Sequence, residues 1–181
     1  MYLIVQLDAT DPCLTHGNLN NPFRSTGYVA RYGVDPMLCD QNLPTGWYRF
    51  VSEVGGKMPE TKATMGQCET YAPIWLKTSH PSTADGIVDR TACINFNDLN
   101  NGCLPMGIKV KNCNDSFYVY RLVPTLGCPM AYCAGTCLIK CPPNYSKVNV
   151  YLSGADRRCP SSQVCKHNID YKSRYSPPQR V

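Results

Sequence analysis

Ile108-Lys109-Val110-Lys111-Asn112-Cys113-Asn114-Asp115-Ser116-Phe117-Tyr118-Val119-Tyr120-Arg121-Leu122-Val123 is the stretch on which the fold turns. Its first four residues alternate apolar with charged, as a strand with one wet face does. Its last seven are aromatic and β-branched, which outweighs any helical pattern. Cys113 and Asn114 fall between the two runs, so the segment reads as a hairpin with an exposed tip. Elsewhere no long window sustains helical periodicity without a Pro, Gly or Cys interruption. The first 133 residues are therefore expected to be mainly β with long loops.

Working outward, Gly46 to Val51 places Trp47, Arg49 and Val51 on one face and Tyr48 and Phe50 on the other, a strand covered on both sides. The apolar run Ala72-Pro73-Ile74-Trp75-Leu76 ends at His80-Pro81. Asp85-Gly86 signals a turn before Ile87-Val88, and the Asn and Asp residues from Asn95 to Gly102 read as a loop. Residues 8 to 45 are loop-rich, with turns opening at Asp35-Pro36 and at Leu43-Pro44-Thr45-Gly46. Residues 1–10 read as a leading strand or the end of a preceding domain, because Met1 to Leu7 lacks the basic start and small-residue cleavage site of a signal peptide. Nothing approaches the roughly 18 consecutive apolar residues of a membrane span, so direct membrane insertion is not expected.

Cysteine usage sets the class. The chain has 12 cysteines in 181 residues, an even number with no Cys-x-x-Cys pair, which favours disulfides over zinc ribbons or redox dithiols. Leu, Ile, Val and Phe together make up about a fifth of the chain, close to the level at which a packed core fails to form. Covalent staples are required in its place, and they place the protein outside the cytosol. Eight cysteines, Cys13, Cys39, Cys68, Cys93, Cys103, Cys113, Cys128 and Cys133, lie in the aromatic-rich first part and are expected to pair among themselves. Cys137, Cys141, Cys159 and Cys165 are expected to do likewise in a small unit, residues 134–165, resembling a truncated EGF-like module without the calcium-binding motif. Which cysteine joins which is left open by the spacing.

The formal charge is +5, but it is unevenly spread. Residues 1 to 133 carry ten Lys and Arg against eleven Asp and Glu, and residues 134 to 181 carry eight against two. Residues 166–181, ending Ser176-Pro177-Pro178-Gln179-Arg180-Val181, have too little apolar content to fold alone and read as a basic linker or disordered tail. No nucleic-acid motif accompanies the basic residues, so nucleic acid is not an expected partner.

Candidate chemistry is sparse. Two sequons, Asn114-Asp115-Ser116 and Asn144-Tyr145-Ser146, make Asn114 and Asn144 the candidate glycosylation sites, with Asn114 favoured by its hairpin tip. Ser79, His80 and Asp85 contain the residue types of a hydrolase triad. The Ser and His are adjacent, however, and no strand-nucleophile-helix elbow surrounds them. Cys159, Cys165 and His167 hint at zinc, but an oxidising compartment removes the thiolates that zinc needs, so neither a metal nor another cofactor is expected. Glu53, Glu60 and Glu69 sit in three separate loop-like regions with no convergence suited to glycoside chemistry. Trp47, Tyr48, Phe50, Trp75, Tyr118 and Tyr120 could stack sugars, yet aromatics beside disulfides more often form the core.

In order along the chain, the landmarks are Asp11-Pro12-Cys13, Arg24-Ser25-Thr26-Gly27-Tyr28, Cys39-Asp40, Gly46-Trp47-Tyr48-Arg49-Phe50 and Met58-Pro59-Glu60-Thr61. They continue through Ala72 to Leu76, His80-Pro81, Asp85 to Val88, Arg90 to Cys93, Val110 to Cys113, Phe117 to Tyr120 and Ala131-Tyr132-Cys133. Residues 11–133 thereby resemble the eight-cysteine domain of the uromodulin, pancreatic zymogen-granule glycoprotein and von Willebrand factor D and EGF domain protein family. The resemblance implies a non-catalytic extracellular module of a secreted or surface glycoprotein. In uromodulin-type members a glycan on this domain acts as a decoy for bacterial fimbrial lectins, from a sequon between the Trp-Leu and His-Pro pairs. Here that segment reads Lys77-Thr78-Ser79 and has no acceptor asparagine. Uromodulin-type chains also pair cysteines where this one has Gly102-Cys103, which implies a smaller bridge set.

The expected function is recognition or adhesion, with other extracellular glycoproteins, further copies of the chain, or microbial lectins engaged through N-glycans as partners. The alternative is a self-assembling building block of an extracellular matrix or filament. No enzyme activity is expected.

Overall fold

The computed structural model describes residues 11–52, 54–97, 99–135, 145–149 and 163–167. Its strands, in chain order, are β1 (Gly17–Leu19), β2 (Tyr28–Val29), β3 (Gly46–Phe50), β4 (Ala72–Leu76), β5 (Ile87–Ile94), β6 (Leu104–Cys113), β7 (Phe117–Leu122), β8 (Met130–Tyr132), β9 (Tyr145–Asn149) and β10 (Gln163–His167). A seven-stranded mixed sheet runs β1-β3-β7-β6-β5-β4-β8, and a smaller sheet runs β2-β10-β9. The fold is mainly β and disulfide-stapled, as the composition and patterning predict.

β6 and β7 form the hairpin read from the sequence, with Cys113 opposite Phe117 and Val110 opposite Tyr120. β5 and β6 are both longer than the sequence pattern suggests. They pair from Ile87↔Lys111 to Ile94↔Leu104, because Thr91, Ala92 and Cys93 continue the ladder through what reads as a polar interval. The asparagine-rich loop closes this hairpin with Asn97, Asn100 and Asn101 all at positive φ, a backbone region that asparagine tolerates better than most residues.

The alternation of a strand explains how a chain poor in aliphatic residues fills two layers. On β4, Ala72, Ile74 and Leu76 enter the main core with Ile94, Val110, Tyr120 and Leu122. Trp75 points the other way, into a cluster formed with Cys68, Cys93, Cys133 and Ala63. Its indole N–H donates to the Gly102 carbonyl at 3.3 Å. Sulfur thus serves both as covalent staple and as packing material.

Four bridges tie the loops to this frame: Cys13–Cys113, Cys39–Cys128, Cys68–Cys133 and Cys93–Cys103. The first three close overlapping segments of 100, 89 and 65 residues. A buried ion pair fixes the same loops from inside. The Arg24 guanidinium grips Asp40 with two bonds, of 2.7 and 2.6 Å, and also donates to the Tyr132 carbonyl at 3.0 Å. Asp40 in turn accepts from the Tyr132 N–H at 2.8 Å.

Candidate functional site

β3 and β7 are paired only from Gly46↔Leu122 to Tyr48↔Tyr120, although β3 continues to Phe50 and β7 begins at Phe117. Where the ladder stops the strands part, leaving an open groove of about 410 Å³. Its lining comes from Arg49 to Ser52 at the end of β3, Asp115 to Tyr118 at the start of β7, and Gly56 with Lys57 from the returning chain. A Cβ at Gly56 would lie 2.8 Å from the Phe50 carbonyl oxygen, so glycine is what lets the returning chain approach this closely.

The groove has a fixed frame. Gly55, at φ 119, donates to the Ser52 carbonyl at 3.2 Å, and the Lys57 carbonyl accepts from the Gly135 N–H at 2.8 Å. On the hairpin side, Asn114 and Asp115 have φ of 53 and 56, with the Ser116 N–H donating back to the Cys113 carbonyl at 3.0 Å. Two consecutive left-handed residues give an inverse turn that suits the twist of a hairpin. Asn112 accepts from the Asp115 N–H at 2.8 Å and donates to the Asp115 carboxylate at 2.8 Å. The Cys13–Cys113 bridge and a Lys111–Asp11 ion pair at 2.8 Å anchor the tip from below.

Two cations mark the groove. The Arg49 guanidinium lies 3.8 Å from the centre of the Phe117 ring, and the Lys57 ammonium 4.8 Å from that of Tyr118. Neither has a carboxylate partner within ion-pair distance among the described residues. The Arg49 Nε and the Ser52 Oγ are buried atoms without a hydrogen-bond partner among the described residues, a state that proteins rarely leave unanswered.

Beside the groove runs a polar relay. Tyr120 is fully buried, and its oxygen accepts from the Met58 N–H at 3.1 Å. Its hydroxyl meets His80 Nε2 at 2.7 Å, and His80 Nδ1 bonds the Glu60 carboxylate. The chain of bonds is consistent when Nδ1 carries the imidazole proton and Nε2 accepts from tyrosine. Burial pushes the His80 pKa below its ordinary value, helped by the charges of Lys57 and Arg90 and opposed by the bond to Glu60. Burial alone would raise the Glu60 carboxyl, but its bonds from the His80 ring and backbone hold it below the usual value. The Tyr120 phenol is driven far up by burial. It is sealed from solvent, which leaves the relay without an accessible nucleophile.

The match to known proteins falls on this framework. The family model described as "Uromodulin-like, D8C domain" matches residues 48–134, which take in both walls of the groove, the relay and six of the eight bridged cysteines. This chain carries a uromodulin-like D8C domain. It is 43% identical over 143 residues to the pancreatic secretory granule membrane major glycoprotein GP2 of Rattus norvegicus, covering 74% of this chain and 26% of that protein. It is 42% identical over 139 residues to uromodulin of Rattus norvegicus, covering 73% of this chain and 20% of that protein. Against GP2 of Homo sapiens the identity is 41% over 124 residues, 68% of this chain and 22% of that protein. The chain thus spans about a quarter of the length of the curated relatives it matches. With four disulfides among its described residues, the D8C domain belongs outside the cytosol, in the secretory and extracellular space. Among the described residues no helix is long and apolar enough to cross a membrane.

The residues singled out from the sequence sort as follows. The eight cysteines of residues 11–133 occupy the four bridges. Cys165 lies on β10, a strand that pairs with β2 in parallel and β9 in antiparallel register. Residues 1–10, Cys137, Cys141, Cys159, Asn144 and the segment from 168 onward lie outside the described residues. Asn114 is exposed at the hairpin tip, as its sequon position suggests. The Ser79, His80 and Asp85 arrangement does not assemble. Asp85 accepts from the Ser82 N–H and hydroxyl at 2.8 and 2.9 Å, while Ser79 offers its carbonyl to Arg90 at 2.9 Å. Phe50, Trp75 and Tyr120 are core residues, whereas Trp47, Tyr48 and Tyr118 are half-buried.

Sequence reasoning missed the groove cations Arg49 and Lys57, the Glu60 partner of His80, and the Arg24–Asp40 pair. Their signal lay in the landmark motifs, since Arg24, Asp40, Arg49, Glu60 and His80 all belong to segments that carry the family resemblance.

Proposed function

We propose that this D8C domain is a non-catalytic recognition module of a secreted or cell-surface glycoprotein, and that the groove between β3 and β7 is where it meets its ligand. The observation that carries the reading is the pair of cations, Arg49 and Lys57, held over aromatic rings with no carboxylate within ion-pair distance among the described residues. Stapled walls lose little entropy on docking, so modest contacts give useful affinity. Catalysis finds no support among the described residues, because the polar relay through His80 ends at a buried tyrosine. The GP2 relatives are named as glycoproteins, and neither they nor uromodulin are named by a catalytic activity. Partners on this reading are glycans and glycoproteins of the extracellular space, and an N-glycan on Asn114 offers microbial lectins a handle beside the groove.

Self-assembly through sheet edges is the weaker alternative. The edge strands of the main sheet, β1 and β8, have three residues each, and short edges resist strand-to-strand addition. The experiment is binding of the secreted 181-residue chain to arrayed glycans and glycoproteins, with its mass in solution measured in parallel. Saturable binding by a monomer supports recognition. Concentration-dependent polymers without saturable binding would replace it with the structural role.

A further inference from the structure

We infer that the groove between β3 and β7 is a subsite for an acidic saccharide, a pyranose unit bearing a single carboxylate. This deepens the recognition role proposed above and rests on it.

The cations come pre-positioned. Phe117 carries the Arg49 guanidinium on its ring and has His16 at 5.6 Å. Tyr118 carries Lys57 and has the His80 ring at 4.4 Å. These rings hold the cations in place rather than offering free faces, so a ligand is met by charge and hydrogen bonds more than by stacking. The Arg49 Nε and Ser52 Oγ are closed to solvent and have no partner among the described residues, which leaves the two terminal nitrogens of the guanidinium as the donors for an incoming oxygen acceptor. A carboxylate suits a guanidinium because its two oxygens match the donor fork.

The remaining lining names the rest of the ligand. Asp115 is fixed in the groove wall by its bonds to Asn112. As a carboxylate it only accepts, so it requires ligand donors such as sugar hydroxyls, and it repels a second anionic group. That excludes densely sulfated or phosphorylated chains as the best fit. Ser116 adds a further hydroxyl to the same wall. A volume of about 410 Å³ falls within the usual range for small-ligand sites. An acidic peptide would satisfy the cations, but its apolar side chains would find the Phe117 and Tyr118 rings of the lining already taken by Arg49 and Lys57, and Phe50 packed in the core.

The test uses the full secreted chain after enzymatic deglycosylation, so that sugars on Asn114 at the rim cannot fill the groove. Two carboxylated probes, 3′-sialyllactose and a glucuronate-terminated disaccharide, separate the two sources of such a sugar. Lactose, a heparin hexasaccharide and a Glu-containing tripeptide are the contrasts. Amide chemical shifts report the place and calorimetry the affinity. At least one carboxylated saccharide is expected to shift residues 49–57 and 115–118 saturably and to bind more tightly than every contrast. Arg49→Gln and Lys57→Gln should each weaken it by about tenfold, in the range of a lost charge-assisted hydrogen bond. Asp115→Asn should weaken it while strengthening heparin. The inference falls if neither acidic sugar shifts the groove, if lactose, heparin or the peptide binds as well, or if folded Arg49→Gln and Lys57→Gln proteins bind unchanged. Should those two variants keep saturable binding to some arrayed ligand, recognition stands and this site does not.

Discussion

Replacing Arg24 by alanine tests how much of the fold hangs on one interior charge pair. In the native domain Asp40 is 4% exposed and its carboxylate accepts two bonds from Arg24 and one from the Tyr132 N–H. The pair joins the loop before β3 to β8, and the Arg24 carbonyl accepts from the Ala134 N–H at 2.8 Å. Truncation leaves the carboxylate buried with one bond of three. Breaking such a pair from one side costs about 3–5 kcal/mol, against a net stability of about 5–15 kcal/mol for a domain. For a chain of this size that lowers Tm by roughly 10 °C.

A control separates an orphaned charge from simple loss of packing. In Arg24→Met with Asp40→Leu, both charges vanish, and the remaining penalty should be about 1–3 kcal/mol for the unmatched Tyr132 N–H. Equilibrium urea unfolding with the bridges intact measures all three proteins. The reasoning is refuted if Arg24→Ala lies within about 1 kcal/mol of wild type, or if the double variant is no better than the single one.

His80 should give the domain a pH dependence. Its pKa is held below the ordinary 6.5 by burial first, so its neutral form favours the fold: the contribution is full above pH 6.5 and is lost as pH falls through the lowered value. Urea midpoints should decline in that window for wild type and stay flatter for His80→Asn; equal slopes would contradict the relay. The three long bridges should be non-additive, because with the other two intact Cys13–Cys113 closes only about 41 residues of chain rather than its full loop. In the chain-entropy model the step is then worth about 3.9 kcal/mol, rising to about 4.5 when Cys39–Cys128 is also gone and the shortest route through Cys68–Cys133 lengthens to about 75 residues, so removing Cys13–Cys113 and Cys39–Cys128 together as Cys→Ala pairs should cost about 0.5 kcal/mol more than the two single losses; strict additivity would count against overlapping loops. Gly56→Ala pushes a methyl to 2.8 Å from the Phe50 carbonyl and should cost about 1–3 kcal/mol by overpacking while shifting the amides of Lys57 and Tyr118; a silent variant would mean the groove floor is soft.

What could be read from the sequence was what depends on neighbours in the chain. Alternation gave β6 and β7, and the residues at their junction gave the hairpin tip with Asn114. Low aliphatic content with paired cysteines gave a stapled β module. What could not be read depends on residues far apart. Glu60 reaches a histidine 20 positions away and through it a tyrosine 40 beyond that, and Arg24 touches Asp40 and a carbonyl 108 residues on. β5 was underestimated for a related reason: its polar Asp89, Arg90 and Thr91 are held in the ladder by β6 rather than by their own preference.

The groove has a different origin again, since no motif encodes a place where two strands stop pairing. It opens because Gly55 and Gly56 turn the chain back against Phe50, and because the inverse turn at Asn114 and Asp115 holds the far wall. The residues that make the opening are therefore not the residues that give it its cations. This division carries a consequence for function. Arg49 and Lys57 can change without loss of the frame, since neither is in a bridge, the Arg24–Asp40 clamp or the His80 relay. The same stapled sheet can then present different ligand preferences by varying only the residues over Phe117 and Tyr118.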